Sequence, residues 1–167
     1  TISYSVTGVQ TCALPIFEPE KQFGIFHFKG LRIALTICED LWDEQPFENK
    51  FEKTRLYTIS PMEELSKENP DLIINISASP FSYTKTETRK KVFTSKAARY
   101  NIPVITSNQT GANTELIFDG ASLVINREGR ICRQLGYFEE MVETFDLDQI
   151  IRSEERRVGK ECRSRGS

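Results

Sequence analysis

The sequence predicts an α/β layered domain with a mixed sheet. Three short apolar runs, at residues 31–37, 72–77 and 102–107, are rich in Ile, Leu or Val, the composition of buried strands. Between the second and third runs, Phe93, Ala97 and Tyr100 recur at helical spacing. After the third run, strand-like segments follow one another with only turns between them. Strand, helix, strand, helix, strand, then strands alone is the order of a layered fold with a mixed sheet.

The two ends read differently from the middle. Val6-Thr-Gly-Val-Gln-Thr-Cys-Ala-Leu-Pro-Ile16 looks like a translated sequencing adapter, and Arg152-Ser-Glu-Glu-Arg-Arg-Val-Gly-Lys-Glu-Cys162 like the opposite one. Residues 1–16 and 152–167 are therefore expected to be adapter-derived and non-native. The protein proper is expected over residues 17–151, one domain or most of one. The chain carries a net charge of −2, but residues 152–167 hold six Lys/Arg and three Asp/Glu, and residues 1–16 hold none. Taking these from the 22 basic and 24 acidic residues leaves 16 and 21, a net of −5. A mildly acidic core argues against a nucleic-acid partner, and the basic tail carries little weight as an anchor.

Of four cysteines, Cys12 and Cys162 fall in the adapter-like ends, leaving Cys38 and Cys132. There is no CxxC and no histidine cluster, so neither a zinc site nor a disulfide framework is expected. A reducing, cytoplasmic setting is the default. His27, the single histidine, lies in a mostly apolar strand and reads as packing rather than as a ligand. The Ala13-Leu14-Pro15-Ile16 run is too short for a membrane span, and no membrane partner is expected.

The elements follow in order. Phe23 to Phe28, Lys29-Gly30 and Leu31 to Ile37 read as a hairpin. Residues 43–57 are charged, contain Pro46 and read as a surface loop. Ser60 can cap a helix, with Pro61 in its first turn and Glu63 completing a capping box. Asn69-Pro70 should end that helix after about Glu68. Residues 72–77 form the second strand and residues 78–85 a polar loop. Residues 86–100 form a helix and residues 102–107 the third strand, leading into an Asn108-Gln109-Thr110-Gly111 loop. Residues 115–118, 121–126 and 131–135 read as strands, with a turn at Arg127-Glu128-Gly129. Residues 141–147 are expected to form one more strand.

The candidate site begins at Cys38, where the run ending at Ile37 meets Glu39, Asp40, Leu41 and Trp42. A cysteine at a strand end sits at the rim of a sheet, where α/β enzymes place reacting groups. It equally suits a small buried hydrophobe. Glu39 and Asp40 do not activate a thiol; a cation would. Ser77 and Ser79 read as ligand-binding hydroxyls or as turn residues before Pro80. Lys85 reads as a carboxylate partner or as a solvated side chain. Asn108 and Gln109 could line a pocket or satisfy backbone groups. Trp42 reads as packing, and Asp119-Gly120 as a tight turn. The loops at Cys38, Ser79 and Asn108 could gather along one edge of the sheet.

These residues resemble the nitrilase superfamily and, more narrowly, the glutaminase domain of the glutamine-dependent NAD synthetases. The matching pieces are Phe17-Glu-Pro, Leu35-Thr-Ile-Cys-Glu-Asp-Leu-Trp42, Asp71-Leu-Ile-Ile-Asn-Ile-Ser-Ala-Ser-Pro-Phe81, Asn108-Gln-Thr-Gly111 and Glu115-Leu-Ile-Phe-Asp-Gly120. They span nearly all of residues 17–151 in the family's order. The resemblance implies part of a four-layer α-β-β-α sandwich and a Glu-Lys-Cys triad in which Cys38 is the nucleophile. It implies that the backbone N–H of Glu39 helps hold the oxyanion, and that Ser79 and Lys85 hold glutamine. It also implies a parent enzyme in which ammonia passes to a synthetase domain of the same chain, the domain that uses ATP and Mg. The family glutamate lies upstream, and the family lysine shortly before Phe17, where the adapter-like segment stands. This chain alone is therefore expected to be inactive and to need no cofactor. The parent is expected to be a homo-oligomer. Two alternatives stand beside this one: a free-standing amidase of the superfamily acting on small ω-amides, and a non-catalytic binding domain with the same sandwich.

Overall fold

The computed structural model describes residues 24–42 and 60–151. The expected loop at residues 43–57, the Phe17-Glu18-Pro19 segment and both adapter-like ends lie outside the described residues. The elements are β1 (Ile25–Phe28), β2 (Leu31–Ile37), a 3-10 turn (Cys38–Leu41), α1 (Pro61–Lys67), β3 (Leu72–Ser77), α2 (Lys85–Tyr100), β4 (Val104–Asn108), β5 (Thr110–Asn113), β6 (Leu116–Asp119), β7 (Leu123–Ile125), β8 (Ile131–Gln134) and α3 (Leu147–Ile151). Six strands form one sheet in the order β1-β2-β3-β4-β7-β8, and β5 and β6 form a separate hairpin. The β2–β3 and β3–β4 pairs are parallel; β1–β2, β4–β7 and β7–β8 are antiparallel. The sheet is mixed, as the order of elements predicted.

Local chemistry explains most boundaries. Lys29 and Gly30 both have positive φ, as a two-residue hairpin loop requires. Ser60 accepts the Glu63 N–H at 3.2 Å, and Pro61 opens α1 where no N–H is needed. Asn69, at φ 48°, turns the chain out of α1 before Pro70. Asn101 does the same for α2 at φ 55°. The Ile102 N–H returns to Ala97 O and Pro103 has no N–H to give, so β4 starts at Val104 rather than at Ile102.

Register sorts the side chains into two faces. Ile25, Ala34, Ile73, Val104 and Ile125 pair in one continuous row across five strands. With Met62 and Leu65 of α1 and Phe93 and Ala97 of α2 they build the core. The opposite face carries the row Leu35, Ile74, Ile105 and Val124 and the pair Ile37–Ile76. There Leu35 is 54% exposed, Ile37 71% and Ile76 56%. Parallel strands apolar on both faces are the kind that folds cover on both sides. Helices cover one side here, giving two layers of an α/β sandwich.

Three expectations differ from the structure. Residues 110–113 form β5 instead of a loop; Thr-Gly-Ala-Asn has no apolar alternation to reveal it. Residues 141–146 take no regular structure, and Val142 is fully exposed. Asp146 instead caps α3, accepting the Asp148 N–H at 3.0 Å. His27 is exposed rather than packed.

Candidate active site

Moving along the helix-facing side of the sheet, toward the C-terminal ends of the parallel strands, the rows turn from apolar to polar. Past the Ala34–Ile73–Val104 row comes Thr36–Asn75–Thr106, and then Ser77 paired with Asn108. Cys38 follows Ile37 at this same rim. Parallel strands direct their chemistry to this edge.

Cys38 leaves the strand with φ 46°, a backbone state that L side chains seldom take. It begins the 3-10 turn Cys38–Leu41. Asp40 closes the turn by accepting the Ile37 N–H at 2.8 Å. Asn75 holds it from the core side: its Nδ2 donates to Thr36 Oγ1 at 3.0 Å and to Cys38 O at 3.3 Å. Leu41 and Trp42 then enter the core. Cys38 and Cys132 are both thiols. Cys38 is half-buried at the corner, and Cys132 is exposed on β8.

The loop after β3 is clamped rather than loose. Asn108 Oδ1 accepts both the Ser77 hydroxyl and the Ser79 N–H at 3.0 Å. The Gln109 N–H donates to Ser77 O at 2.9 Å, and the Phe81 N–H to Ile117 O at 2.7 Å. Ser79 is buried, and Lys85 opens α2. Lys85 Nζ lies 5.9 Å from the Trp42 ring centroid, a cation–π approach. Trp42 in turn meets Phe93 edge-on at 6.1 Å. The lysine therefore lies over the residue that follows the turn Cys38 begins.

Behind the loop lies a buried polar network that the sequence did not reveal. Asp119 Oδ2 accepts from Arg89 Nη2 at 2.7 Å and from Thr86 Oγ1 at 3.0 Å. Its Oδ1 accepts from Asn108 Nδ2 at 3.2 Å. Arg89 and Asp119 are 3% and 0% exposed, so neither is a surface ion. Asp119-Gly120 is thus more than the expected tight turn, although Gly120 does bend the chain at φ 64°. Asn108 proves to be a hub, with Nδ2 also donating to Gly120 O at 2.8 Å, while Gln109 is exposed. Asn75 and Asp119 sit in or beside apolar runs, and only their partners, Thr36 and Arg89, could have hinted at them.

On the far side of the network, Lys90 Nζ meets Glu87 Oε1 at 3.0 Å and the Tyr137 ring at 5.7 Å. Bonding to Tyr137 and then to Glu87 raises its pKa and ties Tyr137 to α2; the stability this contributes is fully present below the ordinary lysine range and is lost as pH rises through the raised pKa. Among the described residues no group of three or more His, Cys, Asp or Glu could hold a metal. Among them, too, no helix is long and apolar enough to cross a membrane.

No protein-family model matches the chain. It is 34% identical over 146 residues to the glutamine-dependent NAD(+) synthetase of Synechocystis sp., covering 82% of this chain and 25% of that protein. To the Thermotoga maritima enzyme of the same name it is 32% identical over 133 residues, covering 79% and 21%. The chain thus spans about a quarter or less of the length of these relatives. Among solved structures it matches the glutamine-dependent NAD+ synthetase of Acinetobacter baumannii with a TM-score of 0.64 and 28% identity, over 77% of this chain and 22% of that one. An amidase of the nitrilase superfamily from Nesterenkonia matches with a TM-score of 0.56 at 20% identity, over 72% of this chain and 40% of that one. The chain therefore has part of the nitrilase-type α/β fold, and its homologues are glutamine-dependent NAD synthetases.

Proposed function

We propose that this chain is part of the glutaminase domain of a glutamine-dependent NAD synthetase and that Cys38 is its nucleophile. The observation that carries the reading is the corner itself. A cysteine ends a parallel strand at positive φ, the neighbouring strand runs into a clamped serine loop, and a lysine at a helix start lies over Trp42, just past the cysteine's turn. The Cys38 thiolate attacks the side-chain amide carbon of glutamine. The Glu39 N–H helps hold the resulting oxyanion, a donor of the kind that stabilises charge developing in the transition state. Collapse, with the proton taken from the thiol returned to the leaving nitrogen, expels ammonia and leaves a γ-glutamyl thioester on Sγ. Water then cleaves that thioester, releasing glutamate and restoring the thiol. Ser79 and Lys85 hold the α-substituents of glutamine, Lys85 by its charge against the α-carboxylate. The ammonia goes to the synthetase domain of the parent, a cytoplasmic enzyme, where ATP and Mg serve the amidation of nicotinic acid adenine dinucleotide.

The test is a nitrogen-source comparison in the full-length parent. Cys38→Ala should abolish glutamine hydrolysis and glutamine-dependent NAD synthesis, while synthesis from added ammonia persists. Glutamine turnover by that variant would remove Cys38 as the nucleophile. Turnover of small ω-amides in preference to glutamine would favour the amidase reading.

A further inference from the structure

We infer that Asn75 is a positioning residue for the oxyanion site: it anchors the Cys38 carbonyl and so aims the Glu39 N–H. The inference rests on the roles proposed above for Cys38 and Glu39. Cys38 C=O and Glu39 N–H belong to one peptide unit, and none of the described peptide bonds is cis. In a planar trans unit the carbonyl and the following N–H point in opposite directions. Asn75 Nδ2 draws Cys38 O toward the helix-covered side of the sheet. The Glu39 N–H is thereby turned the other way, out of the core.

The partners fix the orientation of the Asn75 amide. Cys38 O can only accept, so the nitrogen must face it. Thr36 Oγ1 approaches Ile74 O at 3.4 Å and so directs its own proton there. It is then an acceptor for the second Nδ2 hydrogen. Asn75 Oδ1 is buried and has no hydrogen-bond partner among the described residues. A side chain that is 0% exposed and leaves its oxygen unpaired is a poor choice for stability alone. An apolar residue of similar volume would suit that strand better. The amide earns its place through the bond to Cys38 O. Cys38 itself, at φ 46°, stands in a state that the surrounding contacts must hold.

The test uses Asn75→Leu and Asn75→Asp in the full-length parent, with Cys38→Ala alongside. Glutamine-dependent kcat should fall about tenfold to a hundredfold, short of the roughly 10²–10³ for outright loss of an oxyanion donor. KM should hardly move, because the aimed N–H acts on charge that develops only in the transition state. Ammonia-dependent synthesis should be unchanged. The Tm of Asn75→Leu should hold or rise, which a merely structural asparagine would not allow. A folded Asn75→Leu protein with normal glutamine kcat overturns the inference. If both Asn75 variants fail to fold, Thr36→Val decides. It removes one acceptor of the same amide and should lower kcat at constant KM; an unchanged kcat there overturns the inference too. Glutamine hydrolysis by Cys38→Ala would instead bring down the reading on which the inference rests.

Discussion

Lys85 puts a cation at the first position of α2, where a helix favours negative charge. Its contact with the Trp42 face offsets part of that cost. A bound α-carboxylate would offset more, because it would meet both the ammonium and the helix N-terminus. Losing one charge-assisted bond costs roughly 1.5–3 kcal/mol, about ten- to a hundredfold in an equilibrium constant. In the full-length parent, Lys85→Ala should therefore raise the glutamine KM by about that factor, with ammonia-dependent synthesis unaffected. Steady-state kinetics with each nitrogen source checks this; an unchanged KM would leave Lys85 a solvated residue on a tryptophan. Cys132→Ser, on the exposed β8, should change neither. The places of Cys38 and Lys85, at a strand end and within one residue of a helix start, were legible as breaks in periodicity. Asn75 was not, because one polar residue inside Leu72–Ser77 leaves the apolar pattern of that strand intact.

At the scale of elements, the β5–β6 hairpin, α2 and the end of β4 meet at Asp119. That carboxylate takes hydrogen bonds from Thr86, Arg89 and Asn108. Removing it would leave the Arg89 guanidinium buried and uncompensated, a change that costs about 3–5 kcal/mol. Asp119→Ala should lower the urea midpoint accordingly. The Arg133–Glu143 pair, at 2.6 Å, is the contrast: its arginine is 60% exposed. Glu143→Gln should cost less than about 1 kcal/mol, the range of exposed pairs. Equal losses in the two variants would mean that the Asp119 network does not bind the elements together. The inner strands of the main sheet, β2, β3, β4 and β7, were readable from composition, since burial demands apolar side chains. The β5 strand was not, since Thr110–Asn113 is polar and, among the described residues, pairs only with β6. The strand expected at residues 141–147 failed for the complementary reason. Its apolar residues join neither edge of the sheet, and Asp146 starts a helix instead.

For the whole molecule, the sheet itself raises the sharpest question. Register puts Leu35, Ile37 and Ile76 on the side away from α1 and α2, with more than half of each exposed. Phe26 and Phe28, stacked at 6.3 Å, extend the same face along β1. Contiguous apolar patches of this kind mark surfaces that a partner covers. A second sheet laid on this one would complete the four-layer arrangement that the resemblance implies, and residues of the parent outside this chain would supply it. The 167-residue chain alone should therefore self-associate and bind a hydrophobic dye. Leu35→Lys with Ile76→Lys should reverse both effects with little change in its Tm, because these side chains touch solvent already. In the full-length parent the same pair of substitutions should be severely destabilising. Burying a Leu or Ile is worth roughly 1.5–3 kcal/mol, and each lysine would also place a charge between two sheets. Sedimentation velocity and thermal unfolding on both proteins check the two halves. A parent that tolerates both lysines would show that this face stays open to water, and the sandwich reading of the full-length enzyme would fall.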